Sequence, residues 1–190
     1  MEEFRLQYPL SHRSLVLDAG AFRGHFIDWC RKRWNCRVVA FEPCAEFADG
    51  VEQRFNGDNK VHLCRYGVSG KTEQVALSVR GDATSVYLTS DDAATEFITL
   101  RDVVQVFDDL DLRLVDLFKI NIEGGEYSML DRMIETGLIE RVRYFQIQFH
   151  GFGSPNPGAD RDKIRTALAR THREEWCVNG GQWESWAKRS

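Results

Sequence analysis

The sequence predicts an α/β fold in which helices cover both faces of a mostly parallel sheet, and three observations support this prediction. Three short apolar runs rich in branched residues, at residues 14–18, 37–42 and 114–123, are typical of buried parallel strands. Segments with apolar residues at helical spacing follow the first two runs. Near the C-terminus the pattern changes to alternation and a turn, which indicates antiparallel strands at the end of the sheet.

The first part of the chain follows the order β-α-β-α-β, which is typical of a doubly wound, three-layer Rossmann-like sheet. Between the first two runs, Phe26, Cys30 and Trp34 recur at helical spacing and predict a helix. A second helix is predicted over residues 44–55, and the turn residues from Asn56 onward end it. Val61–Cys64 is then a fourth candidate strand.

The middle of the chain predicts a small β insertion over residues 73–100, because β-rich segments at 73–79, 84–89 and 95–100 are separated by turn residues. A short helix is predicted over 100–107, and a helix over 126–136 that Gly137 caps. The remaining segments predict a strand at 143–149, a loop at 151–160, a helix at 162–170 and a hairpin at 176–186.

Length and composition restrict the class of protein. The 190 residues fit one domain, with residues 1–13 as an N-terminal extension, and the net charge of −4 argues against nucleic acid as the main partner. No apolar run of about 18 residues occurs, so no membrane-spanning helix is expected. Five cysteines without a Cys-x-x-Cys pair favour reduced thiols in a cytoplasmic protein over disulfides or a zinc site. A homodimer is left open.

The segment after the first run, residues 18–24, predicts a nucleoside-binding turn. Gly20 allows a ligand to approach the backbone closely, and the helix that follows begins with free N–H groups. A pyrophosphate-binding turn needs glycine where Phe22 stands, so a ligand without phosphate is favoured. Asp18 can take an ammonium group or hold the turn, and a plain tight turn is the alternative interpretation.

Glu42 ends the second run and is the next candidate ligand-binding residue. A carboxylate at this position, 24 residues after Asp18, can accept hydrogen bonds from both hydroxyls of a ribose. The alternative is a helix-end charge in front of Pro43. Combined with the turn at residues 18–24, Glu42 predicts a nucleoside site.

Polar residues at the end of the third run and of the strand after it are the candidate catalytic groups. Asn121, Glu123 and Glu126 lie where open α/β sheets bind ligands, and they could orient a substrate or remove a proton. The two glutamates could instead cap the next helix, and too few neighbouring ligands are present to assign a metal. His150 is a candidate general base near neutral pH, with a structural role as the alternative.

Four segments resemble the successive motifs of FkbM-type methyltransferases: residues 17–24, 39–43, 98–102 and 118–126. The resemblance extends from about residue 14 to residue 186, and the last segment is the most specific. It implies a class I methyltransferase fold, S-adenosylmethionine as cofactor and usually O-methylation of a hydroxyl on a sugar or natural product. The chain departs from the family in having Asn121 where aspartate is common and Phe22 where a small polar residue is common.

The resemblance also implies which residues contact the cofactor. The methionine end would lie in the turn at residues 18–24, the ribose would lie against Glu42, and the adenine pocket would be formed by residues 66–68. Phe22 and Pro43 border these positions and are included in the predicted site. The predicted cofactor-binding residues are Asp18, Gly20, Ala21, Phe22, Gly24, Glu42, Pro43, Tyr66, Gly67 and Val68.

These features together predict a cytoplasmic S-adenosylmethionine-dependent O-methyltransferase acting on a small-molecule hydroxyl, with Glu123, Asn121 and His150 as catalytic residues. Such an enzyme mostly aligns the nucleophile and the methyl group for in-line displacement. The alternative is a non-catalytic Rossmann-like nucleoside-binding module, which Asn121 suggests. An NAD-dependent oxidoreductase is disfavoured by Phe22 and by the antiparallel C-terminal strands.

Overall fold

The computed structural model describes residues 6–79, 94–178, 180 and 182–189. In this part of the chain the strands are β1 Leu15–Ala19, β2 Arg37–Phe41, β3 Val61–Cys64, β4 Gly67–Ser69, β5 Glu73–Val79, β6 Ala94–Asp102, β7 Val115–Ile120, β8 Val142–Gln148, β9 His172–Val178 and β10 Trp183–Lys188. The helices are α1 His25–Trp34, α2 Ala45–Arg54, α3 Val103–Asp109, α4 Glu126–Glu135 and α5 Pro157–Thr171, with a 3-10 turn at Leu138–Arg141.

The main sheet confirms the predicted fold class. Within the described residues it has seven strands in the order β3-β2-β1-β7-β8-β10-β9. Strands β1, β2, β3, β7 and β8 pair in parallel, whereas β10 runs antiparallel to both β8 and β9. The strand order reverses at β1, which has β2 on one side and β7 on the other. Open α/β sheets bind ligands at such a switch point, beyond the carboxyl ends of the strands.

Two layers of helices cover the sheet. One hydrophobic cluster joins α1 and α2 to the face of β1 and β2 that carries Val16 and Val38. A second cluster joins α3, α4 and α5 to the opposite face, which carries Leu17, Phe118 and Phe145. Successive side chains of each parallel strand point to opposite faces, and helices cover both faces. For this reason the strand sequences are continuously apolar and do not alternate with polar residues.

The described part of the N-terminal extension packs on the sheet. Leu6 is 1% exposed, and the Tyr8 hydroxyl donates to Gln146 Oε1 at 3.2 Å and lies 2.9 Å from Ser185 Oγ. Gln146 lies on β8 and Ser185 on β10, paired directly across the ladder. The extension therefore covers β8 and β10 on the same face of the sheet as α1 and α2, since Leu6 and Tyr8 belong to the hydrophobic cluster of those two helices.

The predicted β insertion forms a second, three-stranded sheet in the order β4-β6-β5, and the expected strand at 84–89 lies outside the described residues. Leu77 and Ile98 of this ribbon pack against Phe47 of α2, with Phe22 at the edge of the same cluster. Strand β6 continues to Asp102, so α3 begins at Val103 and not at residue 100 as predicted. Pairing with residues 67–69 holds the extra strand residues in place.

The C-terminal part differs from the prediction at the start of α5 and at the start of β9, which begins at residue 172 and not at 176. Helix α5 begins at Pro157, inside the segment predicted as a loop, with the Asn156 side chain accepting from the Ala159 N–H. Proline is favoured at the first helical position because its missing N–H has no partner there. Arg161 of this helix joins it to the sheet, because its Nε donates to Oε1 of Glu184 at 2.7 Å and Glu184 is fully buried on β10.

Candidate functional site

The turn after β1 is fixed by the chain itself. Gly20 adopts a φ of +78°, and a Cβ atom built there would lie 1.9 Å from the carbonyl oxygen of Asn121. The N–H groups of Gly20 and Ala21 both donate to the Phe41 carbonyl at 3.1 Å. Glycine is therefore required at position 20 by the approach of β7, whether or not a ligand lies against the turn.

The second glycine of the turn starts helix α1. Gly24 has a φ of +74°, and an added Cβ would lie 2.7 Å from the ring of Phe55. Its position at the N-cap leaves the first turn of α1 without a side-chain cap. Between the two glycines Phe22 also has a positive φ, of 50°, and its ring packs edge-on against Phe47 at 4.5 Å between centroids.

Glu42 connects the turn after β1 to the start of α2. It is 5% exposed, and its two carboxylate oxygens accept from the N–H groups of Phe22 at 2.7 Å and Cys44 at 3.0 Å. Burial raises the pKa of Glu42 to about 7, although both hydrogen bonds act in the opposite direction. Each carboxylate oxygen can accept a further hydrogen bond, so a role towards a ribose stays a prediction.

A buried ion pair lies behind the turn, and sequence reasoning missed one of its members. Lys119 Nζ donates to Asp18 Oδ1 at 2.8 Å, to the Gly20 carbonyl at 2.8 Å and to the Ala19 carbonyl at 3.3 Å. Asp18 is 0% exposed and Lys119 is 6% exposed. Burial raises the pKa of the Asp18 carboxyl, and the charge of Lys119 opposes this rise. The sequence feature that could have indicated this ion pair is the single lysine inside an apolar predicted strand.

Two buried oxygen atoms near this pair lack a hydrogen-bond partner among the described residues. They are Asp18 Oδ2, near the end of β1, and Asn121 Oδ1, directly after the neighbouring strand β7. Such acceptors are rare in folded proteins unless a ligand or solvent supplies the donor. The arrangement therefore suits a ligand group rich in N–H donors, such as an ammonium.

The predicted catalytic residues Glu123 and His150 are in contact. His150 Nε2 lies 3.3 Å from Glu123 Oε1, and His150 Nδ1 lies 3.1 Å from Glu126 Oε1. Burial lowers the pKa of His150, but the hydrogen bonds to the two glutamates outweigh it and raise the pKa to about 9. A histidine with this pKa is protonated at neutral pH, which argues against the predicted role of general base.

Glu126 has a structural position in this cluster. It is 0% exposed, and its carboxylate accepts from the His150 N–H at 2.7 Å and from the Gly124 N–H at 3.0 Å. Gly153, with a φ of +90°, packs so closely on this loop that an added Cβ would lie 2.1 Å from the Gly124 carbonyl. The loops that follow β7 and β8 are thus held together, and Glu123 itself adopts a left-handed φ of 49°.

The residues predicted to form the adenine pocket lie beside the end of β2. The Tyr66 ring lies 5.8 Å from that of Phe41 and 4.9 Å from the Arg101 guanidinium carbon. A Cβ on Gly67 would meet Leu100 at 2.5 Å and Pro43 at 3.5 Å. Val68 is 3% exposed and packs in the core, so only its backbone could contact a ligand.

Comparison with known proteins defines the family. Residues 18–175 match the model of the methyltransferase FkbM domain, which covers most of the chain and every candidate residue above. The chain belongs to the FkbM methyltransferase family. No curated protein matches the chain in sequence. Membership of this family implies the use of S-adenosylmethionine, the cofactor that the sequence motifs predicted.

Solved structures with the same fold are methyltransferases of the class I, Rossmann-like type. An rRNA methylase from Streptococcus thermophilus has a TM-score of 0.58 at 12% identity, covering 99% of this chain and 93% of that one. A putative rRNA methylase from Clostridium thermocellum gives 0.57 at 11%, covering 98% and 94%. The fibrillarin pre-rRNA processing protein of Methanococcus jannaschii gives 0.57 at 11%, covering 95% and 68%. These identities establish a shared fold and no more.

The residues of this FkbM domain fit the cofactor that the family implies. The acceptors Asp18 Oδ2 and Asn121 Oδ1 suit the ammonium group of a methionine moiety, and the turn at residues 20–24 has Phe22 where a pyrophosphate-binding turn needs glycine. In the described part of the chain, no group of three or more His, Cys, Asp or Glu residues is arranged to hold a metal ion. No helix in this part is long and apolar enough to cross a membrane.

Proposed function

We propose that this FkbM-family protein transfers a methyl group from S-adenosylmethionine to a hydroxyl group of a small molecule. The observation that carries the proposal is the contact of Glu123 with His150. The two residues lie beyond the carboxyl ends of β7 and β8, which are neighbours in the sheet. When bound, S-adenosylmethionine supplies a sulfonium methyl group that a nucleophile displaces in line. The protein then has to hold the cofactor, align the acceptor and receive its proton.

The cofactor would lie along the ends of β1 and β2. Asp18 Oδ2 and Asn121 Oδ1 would accept from the ammonium group of its methionine part, and Glu42 would accept from the ribose hydroxyls. Residues 66–68, which lie beside Pro43, would contact the adenine. The support for this arrangement is the pair of unsatisfied buried acceptors, because a ligand that donates to both removes the cost of leaving them unpaired.

Glu123 would receive the proton of the acceptor hydroxyl. Its side chain is 27% exposed, whereas that of His150 is 7% exposed, so Glu123 is the more accessible of the two. His150 would act as a positioning residue, since as a cation it can donate to Glu123 and Glu126 together. This assignment replaces the sequence-based role of His150 as base and keeps that of Glu123. Asn121 would orient the bound molecules.

A small acceptor is favoured by charge. The net charge of −4 does not favour a polyanionic substrate, in which phosphate contacts by Lys and Arg supply most of the affinity. The structural relatives named as rRNA methylases make RNA the alternative acceptor that the experiment must include. Five free cysteines, of which Cys177 alone is exposed among the described residues, suit the reducing cytoplasm, where we place the protein.

The first test of the proposal is calorimetric. The protein is titrated with S-adenosylhomocysteine and, separately, with NAD. We expect saturable binding of S-adenosylhomocysteine and none of NAD, because the turn lacks the pyrophosphate-binding glycine. Binding of NAD alone would overturn the cofactor assignment, and binding of neither would remove the proposed function.

The second test separates an enzyme from a binding module. Transfer of a labelled methyl group is measured with a panel of hydroxylated small molecules and with total RNA as acceptors, for the wild type and for Glu123→Gln. We expect transfer to a small hydroxyl compound and a loss of about 10²–10⁴-fold in the variant at saturating cofactor. Labelling of RNA alone contradicts the acceptor class. An unchanged rate in the variant contradicts the role of Glu123.

A further inference from the structure

We propose that Lys119 is a positioning residue that holds the turn after β1 in the conformation that binds the cofactor; this inference rests on the proposed function. Nothing in the resemblance to FkbM methyltransferases assigns a role to this lysine. It lies on β7, about a hundred residues after the turn in sequence, and pairs in register with Asp18 on β1. Its side chain crosses from one strand to the turn that follows the other.

The geometry uses the whole ammonium group. The three contacts of Nζ, with Asp18 Oδ1, the Gly20 carbonyl and the Ala19 carbonyl, match the three N–H donors of a lysine. The Ala19 carbonyl also accepts from the Asn121 N–H, so it keeps a donor without Lys119. If Lys119 is replaced, the contact whose loss matters for the turn is the one with the carbonyl of Gly20, the residue whose φ is +78°.

Electrostatics explain why a lysine is held in this place. Its charge is buried beside the carboxylate of Asp18 and 5.9 Å from the ring of Phe26. A buried ion pair rarely adds stability over a neutral pair of similar volume, because desolvation of the two charges offsets their attraction. What a neutral aliphatic side chain cannot replace is the hydrogen bond to the turn. We therefore expect the lysine to affect the conformation of residues 20–22 more than the stability of the fold.

The turn that Lys119 holds contributes to the proposed cofactor site at two points. The Ala21 N–H, which shares a peptide group with the Gly20 carbonyl, donates to the Phe41 carbonyl, immediately before Glu42. The Phe22 N–H donates to the Glu42 carboxylate at 2.7 Å. If the Gly20 peptide is free to rotate, both hydrogen bonds lose their alignment, and the predicted ribose-binding carboxylate loses a fixed orientation. Preorganisation of this kind raises affinity by removing the cost of ordering on binding.

The experiment compares variants in a background without the buried carboxylate. Asp18→Asn keeps the Lys119 contacts with the two carbonyls, and Asp18→Asn/Lys119→Met removes them without leaving an unpaired charge. Two quantities are measured for each: hydrogen exchange of residues 20–24 in the ligand-free protein, and the Kd for S-adenosylhomocysteine. We expect exchange at least about tenfold faster and binding about tenfold weaker in the double variant than in Asp18→Asn, since the Gly20 carbonyl loses its hydrogen bond from a charged donor.

A matched control comes from the same row of the sheet. Ser185 is 0% exposed on β10, two strands from Lys119, and its hydroxyl contacts the Tyr8 hydroxyl. Ser185→Ala should lower the melting temperature without changing exchange at residues 20–24 or the Kd. If Ser185→Ala changes both quantities by as much as the double variant differs from Asp18→Asn, the effect of Lys119 is a general loss of stability and the proposal is wrong.

The outcomes separate this inference from the proposed function. If the wild type does not bind S-adenosylhomocysteine, the proposed function fails. If the wild type binds and the double variant matches Asp18→Asn in exchange and in Kd, the proposed function stands and the role of Lys119 is rejected. Faster exchange with an unchanged Kd also rejects it, because the turn would then be ordered by Lys119 without any consequence for the ligand.

Discussion

At the scale of single residues, two glycines with similar backbones have different surroundings. Gly20 and Gly57 have φ values of +78° and +82°, but a Cβ on Gly20 meets a carbonyl oxygen at 1.9 Å while one on Gly57 meets nothing within 4 Å. Gly57→Ala should cost about 1 kcal/mol for the left-handed conformation alone. Gly20→Ala should cost several kcal/mol in urea unfolding, since backbone must also move. Equal losses would show that the contact with β7 relaxes freely.

Glu42 offers a second test at this scale. Glu42→Gln keeps the shape of the side chain but turns one of its acceptors into a donor, which cannot pair with the N–H groups of Phe22 and Cys44 together. We expect the Kd for S-adenosylhomocysteine to rise about tenfold or more, because hydrogen bonds to a charged group contribute about 1.5–3 kcal/mol. Calorimetry of the variant gives the answer. An unchanged Kd means that Glu42 only connects the two turns.

His150 predicts a pH dependence of stability. Its pKa in the folded protein is about 9, above the ordinary value of 6.5, so the folded state holds the proton more tightly than the unfolded state. This contribution is complete below pH 6.5 and is lost as the pH rises towards 9. The loss is on the order of 3 kcal/mol. Urea unfolding between pH 6 and about 9.5 should show this fall in the wild type and a much smaller one in His150→Gln.

The sequence identified some of these residues and missed others for a physical reason. Gly20 and Glu42 follow strands directly and Glu123 lies three positions after β7, so their place at the carboxyl edge was predictable from the strand pattern alone. The partner of Lys119 lies on another strand, and no local pattern shows which strands pair. The pKa of His150 depends on two glutamates that tertiary contacts bring against its ring, and the local sequence does not show these contacts.

At the scale of elements, two helix caps differ in their surroundings. Asp102 accepts from the Val104 N–H at 2.8 Å at the start of α3, and its other oxygen accepts from Arg132 of α4. Asn156 caps the exposed start of α5 through a longer contact, 3.3 Å, with the Ala159 N–H. Asp102→Ala should cost about 2 kcal/mol and Asn156→Ala about 0.5–1 kcal/mol in thermal unfolding. The reverse order would mean that the link to α4 adds nothing.

Element boundaries were predicted where local signals agree and missed where they compete. The start of α5 lies in the segment predicted as a loop because Pro155 and Pro157 are typical breakers, although Asn156 followed by a proline is also a helix-start signal. The end of β6 was placed too early because its last residues are held by pairing with β4, which local sequence does not reveal. Helices α1 and α2 were predicted to within a few residues, since their apolar stripes are regular.

At the scale of the whole molecule, the strand order follows from general rules of α/β folds. Right-handed crossovers and short connections leave few arrangements for a β-α-β-α-β start, so the parallel half of the sheet was predictable. The contact of β5 and β6 with Phe22 and Phe47 was not predictable, because no sequence pattern links these segments, which are far apart in the chain. The same holds for Tyr8, which packs across strands far away in sequence.

The position of β10 has a consequence for synthesis of the protein. Strand β10 lies between β8 and β9, both of which precede it in the chain, and it supplies the buried Glu184 that binds Arg161 of α5. Until residues 183–188 leave the ribosome, β8 has an open edge and β9 has no neighbour. Domains fold in order as they emerge, but this sheet cannot close in that order. A released chain that ends at residue 182 should therefore be cut readily within β9 and α5 by pulsed protease, and a released chain that includes residues 183–188 should resist; resistance of the shorter chain would show that β8 and β9 hold together without the strand between them.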